Sequence, residues 1–187
     1  MKSDMKDIKD KSENNNDTGQ KIFNSLRTKS DSNQFIRLYN ALSRYVGEFN
    51  IDKVVEEIFG KEKPYWVEDL INNVPGLQTG ILSESDRSIL NSIKEKINNS
   101  VIVRIEMSFK PSDQFMDRVV NIIKNVYNSS ISNVSGENST NFMLDIHVKE
   151  GFEPGAVFYI KGNILDLRLR RIVTSYLLSH NVVERYL

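Results

Sequence analysis

The run Val101-Ile-Val-Arg-Ile-Glu-Met-Ser-Phe109 divides the chain in two. Val101, Val103, Ile105, Met107 and Phe109 fall on one side of an extended backbone, and Ile102, Arg104, Glu106 and Ser108 on the other, a period of two. Downstream, Pro111-Ser-Asp113 starts a helix. Its apolar positions, Phe115, Met116, Val119, Val120, Ile122, Ile123 and Val126, form a face wide enough to cover a sheet. A Ser/Asn-rich loop is expected over residues 128–141. Alternation returns at Phe142, Leu144, Ile146 and Val148, followed by a turn over Gly151–Gly155 and a third strand over Ala156–Lys161. Gly162-Asn163 reads as a stop, and Ile164–Leu178 as a closing helix with Leu165, Leu169, Ile172, Val173 and Tyr176 on one side. The order is β-α-β-β-α. A right-handed crossover makes the first two strands parallel, and a hairpin adds an antiparallel third.

Upstream the apolar period is that of a helix. Phe35, Leu38, Tyr39, Leu42, Tyr45 and Val46 form one stripe, with Asp31, Ser32 or Asn33 available as its N-cap, and Gly47 interrupts it. Ile51, Val54, Val55 and Ile58 continue to Gly60, a helix stop. Pro64 opens a short helix through Trp66, Leu70 and Ile71 that ends at Pro75-Gly76. Ser83 or Ser85 can cap a fourth, with Ile89, Leu90, Ile93 and Ile97 buried. Residues 1–20 offer only Met1, Met5 and Ile8 as apolar side chains, too few to offset the entropy of ordering them, and read as a disordered tail or an arm ordered on a partner. The expected fold class is therefore α+β: a tail over 1–20, a small helical bundle over 21–99, and a β-α-β-β-α module over 100–187.

Composition narrows the chemistry. The 187 residues carry 25 Lys+Arg against 25 Asp+Glu, no cysteine and two histidines, His147 and His180. A formal net charge of zero argues against a partner held by bulk charge, nucleic acid included. Without cysteine there are no disulfides, thiolate metal sites or cysteine nucleophiles. No apolar run reaches the roughly 18–20 residues of a membrane helix. Gly76-Leu-Gln-Thr-Gly80 lacks the Gly-Lys-Ser/Thr ending of a phosphate-binding loop and reads as a turn. Glu56-Glu57 and Glu150/Glu153 read as solvated acids, and His147, alternating with Asp145 and Lys149, as a surface histidine. The Asn-x-Ser/Thr matches at Asn98, Asn128, Asn133 and Asn138 follow from abundant Asn and Ser. Arg168, Arg170, Arg171 and Arg185 give a basic C-terminal helix, suited to stabilising that helix's negative end or pairing with a partner's acids. No catalytic, cofactor or metal residues are assigned.

Two stretches carry a family resemblance. Tyr39-Asn-Ala41-Leu42 is followed by Ile51-Asp52-Lys-Val54-Val-Glu56-Glu57-Ile58. Further on comes Val148-Lys-Glu-Gly-Phe-Glu-Pro154-Gly155-Ala156-Val-Phe-Tyr-Ile160-Lys-Gly162-Asn-Ile-Leu-Asp166-Leu-Arg168-Leu169-Arg-Arg-Ile172. With the bundle-then-sheet layout, these resemble the delta subunit of the F-type ATP synthase, called OSCP in mitochondria. Gly155-Ala156 stands where that family has a Gly pair. The helical part is shorter than the family's six-helix bundle, so one or two helices are expected to be missing or reduced.

The resemblance implies a non-catalytic stator subunit that links the catalytic head of a rotary ATPase to its peripheral stalk. It implies no cofactor, a location in the cytoplasm at the membrane periphery, and contact with the membrane only through the complex. In the family the helical bundle holds an amphipathic helix of an alpha-like catalytic-head subunit in an apolar groove, and the C-terminal module holds the end of the stalk. Carried onto this sequence, Phe35, Leu38, Tyr39, Leu42, Val54 and Ile58 would line the groove. Leu165, Arg168, Leu169, Arg170 and Arg171 would meet the stalk. Asn163-Ile-Leu-Asp-Leu-Arg-Leu169 also resembles the Asn-Thr-Leu-Asp-Ala-Arg-Leu run of the V-type ATPase E subunit. That family begins with a long stalk helix, which Gly47, Gly60, Pro64, Pro75, Gly76 and Gly80 forbid here. A stand-alone α+β adaptor or nucleic-acid-binding module is the reading from another class.

Overall fold

The structure, a computed structural model, describes residues 17–131, 141–172 and 175, and divides into two units, 1–100 and 101–187. Residues 1–16 of the tail expected over 1–20, most of the Ser/Asn loop, and Val173, Tyr176, His180 and Arg185 lie outside the described residues.

The described residues of the first unit form helices and the turns between them. Residues 17–25 form α1, so the last four residues assigned to the tail are its first turn. Ile22, Phe23 and Leu26, buried to within 2% of full exclusion, are the apolar anchor that residues 1–16 lack. The other helices are α2 (Lys29–Leu42), α3 (Ile51–Phe59), α4 (Trp66–Asn73), α5 (Pro75–Thr79) and α6 (Glu84–Asn98). Six helices are thus present among the described residues of this unit, where four were expected from the sequence and a reduced bundle from the resemblance. Pro75 opens α5 rather than only closing α4, because a first-turn position needs no N–H and suits the fixed φ of proline. The segment read as a turn, Gly76–Gly80, is mostly this helix, and Gly80 ends it in the left-handed region.

Two helices start on the same device. Thr28 caps α2 by accepting from the Asp31 N–H, and the Asp31 carboxylate accepts from the Thr28 N–H in return. The cap is therefore Thr28, and Asp31 is its reciprocal partner within the first turn. Ser83 and Asp86 repeat the arrangement at α6. Asn50 caps α3. The α2 stripe stops at Leu42, leaving Tyr45 and Val46 beyond the helix, and Val46 is 98% exposed. Trp66, fully buried, is the centre of the packing: its ring lies 6.0 Å from Phe35 and, edge-on, 6.0 Å from Phe59.

Among its described residues the second unit has a four-stranded sheet, one long helix and the start of another. β1 (Val101–Met107), α7 (Asp113–Ile131) and β2 (Phe142–Val148) appear as the alternation required, and β1 and β2 are parallel with Val103 opposite Leu144. Ser112 caps α7, which runs three residues past the expected loop start. Val119 and Ile123 face the sheet, whereas Ile122 points outward at 61% exposure. The remaining strands differ from expectation. β3 (Ala156–Ile160) does not pair with β2 but crosses to the other side of β1, and Asn163–Asp166 is a fourth strand, β4, rather than the start of a helix. The order is β2-β1-β3-β4. Lys161 and Gly162, at φ 47° and 83°, form the two-residue turn between β3 and β4, the backbone that matches strand twist and that glycine adopts without strain. The residue pair read as a stop is a hairpin turn, and the last helix begins only at Leu169.

Candidate functional site

The bundle residues assigned to a groove are mostly core. Phe35 and Leu38 are fully excluded from solvent, Leu42 and Val54 nearly so, and all four pack with Trp66, Val67 and Leu70. Helices this short need their apolar stripe to exclude water from one another, so these four side chains are core rather than groove lining. Ile58 is half-buried at the edge of the same cluster. Tyr39 reaches a cleft. It lines a shallow depression between α2 and α6 with Ser43, Leu82, Arg87, Leu90 and Asn91. Its hydroxyl donates to Asn91 Oδ1 at 2.6 Å, and the Lys94 ammonium sits 4.5 Å from its ring centroid. Arg87 donates to the Tyr45 carbonyl at 3.0 Å, which ties the loop after α2 to α6. Glu56 and Glu57 are exposed on α3, as read from the sequence.

The five C-terminal residues assigned to the stalk come together where β4 becomes the last helix. Leu165 and Leu169 are 54% and 56% exposed, and Ile164, Leu167 and Ile172 add to the same uncovered run. Arg168 is the hub. Its Nε and Nη2 donate to the two oxygens of Asp166 at 2.9 and 2.6 Å, its N–H donates to Asp166 Oδ1 at 3.1 Å, and Nη1 lies 3.7 Å from Glu153. Arg171 reaches Asp166 at 3.3 Å and Arg170 reaches Glu153 at 3.6 Å. The Ile172 N–H bonds the Arg168 carbonyl, so Arg168 is the helix N-cap and Arg170 and Arg171 lie in its first turn. This corrects the expected placement near a negative C-terminus. Cations at the positive end of a helix are unfavourable alone, and Asp166 and Glu153 supply the compensating charge. Hydrogen bonds from the Arg168 guanidinium, then its N–H and Arg171, hold the Asp166 carboxyl well below the usual carboxylate range.

A second carboxylate shares the sheet face opposite α7. Glu106, 5% exposed, receives Lys149 at 2.8 Å, Arg104 at 2.6 Å and the Tyr159 hydroxyl at 3.2 Å. These bonds, led by that from Lys149, lower its pKa against the opposing effect of burial. The Phe152 ring lies between the two centres, 6.0 Å from the Lys149 ammonium and 5.7 Å from the Arg168 guanidinium. Residues 149–155 therefore form a strap across the ends of β1 and β4, fixed also by Lys149 N–H to the Met107 carbonyl and Leu169 N–H to the Pro154 carbonyl. The sequence signal for this buried acid was an acidic residue inside an otherwise apolar strand with cations at alternating positions nearby. His147 Nε2 is 3.3 Å from Asp145 Oδ1, within the sheet.

Among the described residues no group of three or more His, Cys, Asp or Glu side chains is placed to hold a metal ion, and no helix is long and apolar enough to cross a membrane. No protein-family model matches the chain, and no curated protein sequence matches it.

Proposed function

We propose that the chain is a non-catalytic stator subunit of a rotary ATPase, joining the catalytic head to the peripheral stalk and resisting the torque between them. The observation that supports this reading is the succession of a helical unit, six helices among its described residues, and a mixed-sheet unit; the order is that of the delta-subunit resemblance, and the helix number is that of the family's full bundle rather than the reduced one expected here. The α2–α6 cleft around Tyr39 would receive the alpha-like head subunit, and the β4 junction around Leu165, Arg168, Leu169, Arg170 and Arg171 would receive the stalk. Both are open surfaces, which suits attachment with slow dissociation rather than turnover. Each would bury on the order of 1,600 Å² with its partner. The chain would then meet the membrane only through its complex.

The test is affinity purification of the tagged full chain from solubilised membranes of its own cells. Catalytic ATPase subunits and a stalk subunit should co-purify and stay bound at high salt, where a nucleic-acid contact would collapse. Recovery of neither rejects the proposal.

A further inference from the structure

The α2–α6 cleft holds positive charge that no carboxylate balances among the described residues. Arg87, Leu90, Asn91 and Lys94 recur at the i, i+3, i+4, i+7 spacing of one helix face, and Tyr39 and Ser43, one turn apart on α2, stand across from them. Arg87 and Lys94 are both half-buried. In the sheet unit Arg104, Lys149 and Arg168 each meet a carboxylate. Here Arg87 has the Tyr45 carbonyl as its polar partner and Lys94 the face of the Tyr39 ring. The exposed acids of α6, Glu84 and Glu95, pair with neither. A half-buried cation left in this state is best stabilised by an anion brought from outside.

The remaining donors and the walls set the shape of that anion. Tyr39 takes up Asn91 Oδ1, so the Asn91 amide is left to donate. One N–H of the Arg87 fork goes to Tyr45 and the others stay open. The space is about 90 Å³, room for about three waters, and Leu82, Leu90 and the Tyr39 ring make it partly apolar. A planar carboxylate on a short apolar stem fits both features: its oxygens take N–H groups of a guanidinium and an amide, and its methylenes cover the leucines. A bare phosphate would set oxygens against those leucines instead. We infer that the cleft anchors one acidic side chain, glutamate-like in length, of a protein that docks on α2 and α6. The cleft alone gives the chemistry of the anchored group, and only the partner's identity as a head subunit rests on the stator reading.

Propionate reproduces the glutamate side chain, and propionamide is its neutral isostere. In heteronuclear NMR spectra of the full chain at constant ionic strength, propionate should shift the Asn91 side-chain amide and Arg87 Nε signals to saturation, and propionamide should not. Arg87→Gln should abolish the response. Lys94→Gln, which breaks no hydrogen bond, should weaken propionate binding severalfold. No shift, or equal shifts from the two probes, overturns the inference. The source of the carboxylate is read with a zero-length carbodiimide, which condenses the Lys94 amine with a carboxylate touching it and takes up the water lost. Applied to the complex assembled in the protein's own cells, it should join Lys94 to a Glu or Asp of another protein, and Arg87→Gln should suppress the link. A link to a catalytic-head subunit supports the anchor and the stator reading together. A link to a protein outside any ATPase supports the anchor and overturns the stator reading of this cleft. Head subunits that co-purify while Lys94 links to nothing, or only to acids of its own chain, overturn the anchor and leave the stator reading standing. No link and no ATPase subunit removes both.

Discussion

Arg168 and Asp166, two residues apart, form a two-pronged ion pair that also closes through the backbone, Arg168 N–H to Asp166 Oδ1 at 3.1 Å. The pair ends β4 and caps the helix that follows. A lysine at 168 could supply a charge but not two parallel bonds. Arg168→Lys should raise hydrogen-exchange rates over residues 153–172 and leave those over 29–98 unchanged. Equal protection in both proteins would show the pair to be ornamental.

The same pair sets an acid response. Asp166 has a folded pKa below its unfolded value, so its contribution is complete above the unfolded value of about 3.9 and is lost only as pH falls further toward the folded one. Glu106 behaves alike, from an unfolded value of about 4.3. The sheet unit should therefore hold its tertiary circular dichroism from neutral pH down to about 5. Asp166→Asn should lower its stability at neutral pH and flatten the dependence below pH 4. A transition near pH 6 would contradict this assignment.

Tyr65 tests the α2 capping box from outside. Its hydroxyl lies 3.0 Å from both Asp31 Oδ2 and the Ser25 carbonyl, so it ties the α1–α2 junction to the start of α4. Burial first, and then the adjacent Asp31 charge, push its pKa far above the ordinary phenol value, so it stays protonated as a donor. Tyr65→Phe and Thr28→Ala should each cost about 1 kcal/mol, and together less than their sum because both act on Asp31. Urea unfolding followed through Trp66, the single tryptophan, reads this unit selectively.

Two glycines give opposite outcomes. A Cβ on Gly76 would come within 2.6 Å of the Ile81 carbonyl and closer still to the Asp86 carboxylate, the reciprocal cap of α6. Gly76→Ala should cost about 1–3 kcal/mol. A Cβ on Gly47 meets nothing within 4 Å, and Gly47→Ala should be neutral or stabilise by up to about 1 kcal/mol. The same urea curves rank the two, and the reverse order would refute the packing at Gly76.

Tyr39 and Leu38 separate binding from folding. Leu38→Ala opens a cavity in the bundle core and should cost about 2–5 kcal/mol. Tyr39→Ala, which gives up the Asn91 bond and a half-buried ring, should cost less stability than Leu38→Ala yet weaken co-purification of the head subunit more. If Tyr39→Ala binds normally, the α2–α6 cleft is not the contact.

Periodicity made the boundary at Val101, both sheet-facing stripes and most helices legible, because burying one face forces a repeat of two or 3.6. Stripes do not say what they face. Phe35, Leu38, Leu42 and Val54 were given to a groove because the first turn of α1 was assigned to the tail, the rest of it to no helix, and α5 to a turn, which left out helices that the core must serve. Asn163–Asp166 is too short to show a period, and it is a strand through its pairing with β3 across the Lys161-Gly162 turn. The strap from Lys149 to Gly155 depends on long-range charge pairs, which no local pattern encodes. The cluster at Arg168 was legible as residues but not as geometry, since its role changed ends once the helix start moved to Leu169.

β1 is made first and ends up second in the sheet, flanked by strands synthesised later. Its two neighbours arrive by unequal routes. β3 and β4 close on each other through a two-residue turn, a local event, whereas β2 must return past the whole of α7. The hairpin should therefore form early, while β1 meets β2 and the hairpin only after long loops close. Until then Val103 and Ile105 stand on an unpaired apolar strand, and the newborn chain is at its most adhesive in that interval.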